Sequence, residues 1–118
     1  MNVVNMNQAA KEPLDNALFT NAVALQTLAP DSREFDVNVV HFDKGVRNKF
    51  HAHDGDQVLI VTHGRGIIAT RDEERIIGVG DVVFIPANEI HWHGAVPDSD
   101  FAHIYMVAHQ SRLVQHEK

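Results

Sequence analysis

The chain has no cysteine, and this single absence excludes disulfides, thiolate metal sites and a Cys nucleophile. Any metal it holds must therefore sit on nitrogen and oxygen donors. It also lacks an apolar run near the roughly 20 residues that a membrane-spanning helix requires. Positive charge is scarce: ten Lys and Arg stand against sixteen Asp and Glu, a formal net charge of -6. The basic residues are scattered singly, which argues against the clustered phosphate contacts of nucleic-acid binding. The polar start, Met1 to Ala10, has neither the basic opening nor the apolar stretch of a secretory signal, so a cytoplasmic protein is the expectation. No helical period of ten or more residues is visible.

What remains is a single-domain length of 118 residues, 44% of them hydrophobic, cut into short apolar runs by turn residues. The runs are Ala22 to Leu28, Phe35 to Phe42, Val58 to Thr62, Gly66 to Arg71, Arg75 to Ile77, Val82 to Ile85, His91 to Ala95 and Ala102 to Ala108. Gly, Pro, Asn and Asp separate them, and His63-Gly-Arg-Gly66 reads as one such turn. Eight or so short strands at this spacing predict an all-β protein, a double-sheet jelly roll ahead of an immunoglobulin-like sandwich or a lipocalin-type barrel. Residues 1–18 are expected as an N-terminal arm with at most a short helical turn after Pro13. Residues 19–110 are expected as the barrel and 111–118 as a tail.

Nine histidines occur without a consecutive run, so the fold and not a tag places them. His51 and His53 lie two apart and project to one face of a strand. Gln57 follows the turn-forming Asp54-Gly55-Asp56, which lets the chain fold back and present an amide oxygen beside the two imidazoles. A second His-x-His, His91-Trp92-His93, can close the site from a neighbouring strand. Trp92 has the opposite parity and is expected to face away. Val40, Asn38, Leu59 and Val61 are expected inside with Phe42 and Gln57, giving a mostly apolar cavity suited to a small neutral organic molecule. His41, His63, His109 and His116 read as surface or turn residues, and Arg71 to Arg75 as a solvated hairpin tip.

These residues resemble the cupins across both sequence motifs of that family. Gly45, His51, His53, Gln57 and Gly64 fill the first motif, with Gln where the family usually has Glu. Gly80, Pro86 and His91 fill the second, while Asn88 and Ala95 depart from it. The segments Gln57 to Gly64, His91 to Pro97 and Ala102 to Ile104 are similar to a subgroup of small single-domain cupins. That subgroup is associated with carboxymuconolactone decarboxylases and includes manganese-dependent hydroxynitrile lyases. The resemblance implies a double-stranded β-helix and one divalent ion on His51, His53, Gln57 and His91. It further implies a proton-transfer role for His103, and His93 is a candidate catalytic or supporting residue beside it.

Three neutral imidazoles and a neutral amide leave the ion's charge uncompensated, which strengthens it as a Lewis acid. Four protein donors on a six-coordinate ion leave two positions for substrate or water. Mn or Fe is the expected metal, with Zn or Ni able to fill the same donors. The expected function is a metal-dependent lyase on a small-molecule substrate, with an iron-dependent dioxygenase or a non-catalytic metabolite-binding cupin as alternatives. A homodimer is expected, because small cupins usually bury an outer sheet face against a second copy.

Overall fold

A computed structural model describes residues 1–118. It has ten strands and no helix: β1 (Glu12–Leu14), β2 (Val23–Thr27), β3 (Phe35–Phe42), β4 (His51–His53), β5 (Gln57–Thr70), β6 (Glu74–Gly78), β7 (Val82–Ile85), β8 (His91–Ala95), β9 (Phe101–Ala108) and β10 (Leu113–Gln115). All pairings are antiparallel and form two sheets. One runs β1-β2-β3-β9-β5-β7 and the other β6-β5-β8-β4-β10. This is the expected jelly-roll barrel.

β5 belongs to both sheets. Its first half, from Gln57, pairs with β7 and β9, and its second half, from Arg65, pairs with β6 and β8. The register against β9 slips between Val61 and His63, and a bulge of this kind bends a strand and increases its twist. The four residues from His63 to Gly66, expected as a turn, are therefore the corner of one continuous 14-residue strand. Gly64 is required there, because its φ is +69° and a Cβ would run into the carbonyl of Asp100.

Both ends of the chain are part of the sheets. Leu14, expected in an N-terminal arm with at most a short helical turn, pairs with Val23 through β1. Leu113 in the expected tail pairs with His53 through β10. Three-residue strands like these are too short to show alternation, and pairing creates them. The buried Gln26 holds the segment before β1 by donating both amide protons, to the carbonyls of Met6 and Ala9, each at 2.8 Å. Its oxygen then accepts from His41 Nε2 at 2.6 Å. His41 is thus a half-buried residue of β3, not the surface or turn position expected for it.

Strand alternation puts Val40, Phe42, Val61 and Phe101 into the core with Val23, Val46, Ile77 and Ala95. Trp92 points outward under the Arg47 guanidinium, 4.5 Å from the ring centre. No helix is long and apolar enough to cross a membrane.

Candidate metal centre

β4 and β8 are neighbours in the second sheet, and their register sets His51 opposite His91, with ring centres 4.4 Å apart. His51 Nδ1 lies 2.6 Å from the carbonyl of Lys49, and His91 Nδ1 lies 2.8 Å from that of Glu89. A carbonyl only accepts, so each Nδ1 carries the proton and each Nε2 keeps its lone pair. Backbone anchoring of this type is what orients metal-ligating imidazoles.

Two further observations fit an ion at this point. Gln57 Oε1 and His91 Nε2 are buried with no hydrogen-bond partner. Each would cost about 1–3 kcal/mol if left bare, and both are donors to a divalent cation. Ring nitrogens of His51, His91 and His93 also lie within 4.8 Å of one another. His53, the remaining residue of the expected ligand set, sits beside this group. It is half-buried on the cavity wall, its ring centre 5.3 Å from that of His51 and 6.1 Å from that of His91. The structure thus groups His51 and His91 with His93 and places Gln57 on the same cavity wall as His51, His53 and His93.

His93 has other partners as well. Its Nδ1 is 3.0 Å from Nε2 of His103 on β9, so the two residues expected to handle protons form a pair across the barrel. Asn48 Oδ1 accepts the backbone N–H of His93 at 2.8 Å. The same amide's nitrogen lies 3.2 and 3.4 Å from the two ring nitrogens of His93, near equality that places it over the ring face. No spacing rule points to Asn48, because its partner is 45 residues away. His103 is fully buried and its Nδ1 has no partner. Its inward parity, shared with Tyr105 and Val107, follows the alternation of β9.

Burial holds all these imidazoles neutral at ordinary pH, the form that ligates metal. It lowers His51 to about 3, with the neighbouring His91 adding to the effect. His53 falls to about 4 through burial and then His91, and His103 to about 4 through burial. Burial, reinforced by His103, takes His93 well below its ordinary value, and burial also lowers His91. The Tyr105 hydroxyl is pushed up by burial and accepts from Asn38 Nδ2 at 2.7 Å.

The cavity over this cluster has a volume of about 160 Å³. His51, His53, Gln57, His93 and His103 form its floor, with Val40, Phe42 and Tyr105 beside them. Its rim is Leu14, Asn16, Leu18, Phe19, Leu25 and Leu113, residues that lie outside both sequence motifs. No Lys, Arg, Asp or Glu side chain lines it. A larger hollow of about 410 Å³ lies among Lys11, Gln26, His41, Asp43, His63 and Asp100, but it brings no three metal-ligating side chains together.

Two antiparallel sheets closed into a barrel, with imidazoles gathered on one inner face, define a β-barrel protein with a group able to bind a metal ion. The chain belongs to the cupin family, whose pattern, described as "Cupin domain", matches residues 38–107. It is 38% identical over 114 residues to an (R)-mandelonitrile lyase of Granulicella tundricola, covering 93% of this chain and 82% of that one. It is 33% identical over 87 residues to mannose-6-phosphate isomerase 2 of Arabidopsis thaliana, covering 73% of this chain but 19% of that protein. Among solved structures, a cupin-like protein from Thermotoga maritima superposes with a TM-score of 0.82 at 32% identity, covering 100% of this chain and 90% of that one. The polyketide cyclase RemF from Streptomyces resistomycificus superposes equally well, at 0.82, but at 16% identity shares only the fold.

Proposed function

We propose that this cupin is a metal-dependent lyase that makes or breaks the carbon–carbon bond between cyanide and the carbonyl carbon of a small uncharged aldehyde. The observation that carries this reading is a small cavity whose wall contains imidazole, amide, phenol and apolar groups but no charged side chain. A sugar phosphate would need cationic partners that the wall lacks, so the likeness to the isomerase extends to the barrel and not to its substrate. The similarity to the mandelonitrile lyase, which spans most of both chains, supports the same choice.

His51, His53, Gln57 and His91 would hold a divalent ion, for which manganese is our choice. When bound, the ion supplies Lewis acidity to the oxygen or nitrogen of the substrate. The remaining work falls to the chain. His103 takes the proton from the cyanohydrin hydroxyl as the carbon–carbon bond breaks, the electron pair leaves on cyanide, and the proton is returned to give hydrogen cyanide and the aldehyde. His93, 3.0 Å from His103, orients that imidazole. Val40 and Phe42 keep water from the reacting carbon.

The test is turnover of mandelonitrile by protein loaded with Mn(II), compared with His103→Ala. The variant is expected to turn over at least about 100-fold more slowly with its metal content unchanged. Absence of turnover together with oxygen uptake under Fe(II) would replace the lyase by a dioxygenase.

We propose a homodimer as well. Val58, Ile60, Val82, Phe84, Ile104 and Met106 point outward from adjacent β7, β5 and β9, and Val82 and Phe84 are 64% and 61% exposed. With no charge among them, these strands offer the apolar centre of a two-fold interface of standard size, about 800 Å² per partner. Light scattering of Phe84→Glu is expected to show a monomer, and a wild-type monomer would overturn the assignment.

A further inference from the structure

The part of the chain matched by the family pattern, residues 38–107, contributes the floor of the cavity, and the two ends of the chain contribute its rim. Leu14, Leu18, Phe19 and Leu25 reach the rim from the N-terminal side and Leu113 from the C-terminal side. These segments are fixed in place. Lys49 N–H donates to the carbonyl of Leu18 at 2.8 Å, and Thr20 N–H to that of Arg47 at 2.9 Å. Phe19 packs on Phe42 with ring centres 6.1 Å apart. Leu113 is paired with His53 in the β10–β4 ladder, and Gln115 Nε2 donates to the carbonyl of Ala17 at 3.1 Å. This last bond ties one end of the chain to the other.

We infer that the terminal segments select the substrate, with Leu14, Leu18, Leu25 and Leu113 gripping an aryl or branched alkyl group whose reactive end faces the imidazoles. All four are aliphatic, and they stand opposite the hydrogen-bonding floor of a cavity of about 160 Å³. That volume is about five times a water molecule's share of liquid water, so one compact apolar group fills the space between rim and floor. A pocket of this kind discriminates by fit, and shaving one side chain by several carbons is worth about tenfold between a filling and a non-filling ligand.

The inference rests on the lyase reading for its kinetic arm only, so a binding arm is measured separately. Full-length wild type, Leu18→Ala and Leu113→Ala are titrated with benzyl alcohol while leucine methyl resonances are followed by NMR. Binding is expected to perturb the rim methyls of the wild type and to weaken about tenfold in each variant, with Mn(II) affinity within twofold. Leu113→Ile, which keeps the volume, is expected to bind within threefold of wild type and guards against a folding defect. In the kinetic arm, the specificity constant for mandelonitrile is expected to fall about tenfold in the alanine variants. The value for the cyanohydrin of acetaldehyde, too small to reach the rim, stays within twofold. Unchanged benzyl alcohol affinity in both alanine variants, or equal losses for large and small cyanohydrins, overturns the inference. Methyl shifts and weakened binding as expected, in a protein without lyase turnover, remove the lyase reading and uphold the assignment of the rim.

Discussion

The sheet that carries β4 and β8 gathers His51, His53, His91 and His93, three of them on the cavity wall, whereas the sheet facing it offers Val40, Phe42, Leu59, Val61 and Phe101 with Gln57 and one imidazole, His103. The imidazole ligands are assembled on one inner face and the apolar groups that keep them neutral on the other. An apolar face opposite excludes water, exclusion of water keeps the imidazoles neutral, and neutral imidazoles have lone pairs to give. Neither face alone would make a site.

Acid is the largest expected break in this arrangement. The unfolded chain binds protons on its histidines near 6.5, while the folded chain holds His51 near 3 and His103 near 4, with His93 also well below normal. Between these values the unfolded state carries more protons, so the stability that these groups contribute is complete above pH 6.5. It is lost progressively as pH falls from about 6.5 towards about 4 for His103 and about 3 for His51, at up to about 1.4 kcal/mol per pH unit for each group. Thermal melts of metal-free protein should fall steeply from pH 7 to pH 5, and flat melts would contradict the dry, neutral floor.

A smaller break comes from the apolar face. Phe42 is 2% exposed and packs against Phe19, Phe101, His93 and His103. Phe42→Ala should cost about 3–5 kcal/mol in denaturant unfolding. On the opposite face, His51→Ala should lower Mn(II) affinity by about 100-fold or more in a chelator competition, about 2.7 kcal/mol. A variant that kept its metal would shift the ligand set toward the other imidazoles. The smallest effect is expected away from both faces. The Arg75–Glu73 ion pair is exposed at the β5–β6 hairpin, and Arg75→Ala should change stability by less than about 0.5 kcal/mol.

Much of this contrast is readable in the sequence, and the rest is hidden for identifiable reasons. β3, β7 and β8 start and stop where alternation and turn residues place them, at Phe35–Phe42, Val82–Ile85 and His91–Ala95. The parities of His51, His91, His103 and Trp92 follow from period two. Gly64 misleads because glycine marks a bulged corner as readily as a turn, and the choice depends on Asp100, 36 residues along the chain. β1 and β10 escape sequence reading because three-residue strands exist only through their partners. The nearness of His93 to His51 and His91, and the amide of Asn48 over its ring, depend on how β8 packs against the loop before β4, which no local pattern encodes. His41 looks like a surface residue because its partner, Gln26, belongs to a different strand.

Because β5 bends from one sheet into the other and touches β6, β7, β8 and β9, neither sheet can be completed before that strand is in place. The β3–β9 ladder joins Phe35 to Ala108, nearly two thirds of the chain apart, so its closure must also wait. Barrels governed by such distant pairings fold in roughly milliseconds to seconds, orders of magnitude slower than helical bundles. The two halves of β5 should therefore gain protection from hydrogen exchange together, in one late step that builds the sheets and the imidazole cluster at the same moment.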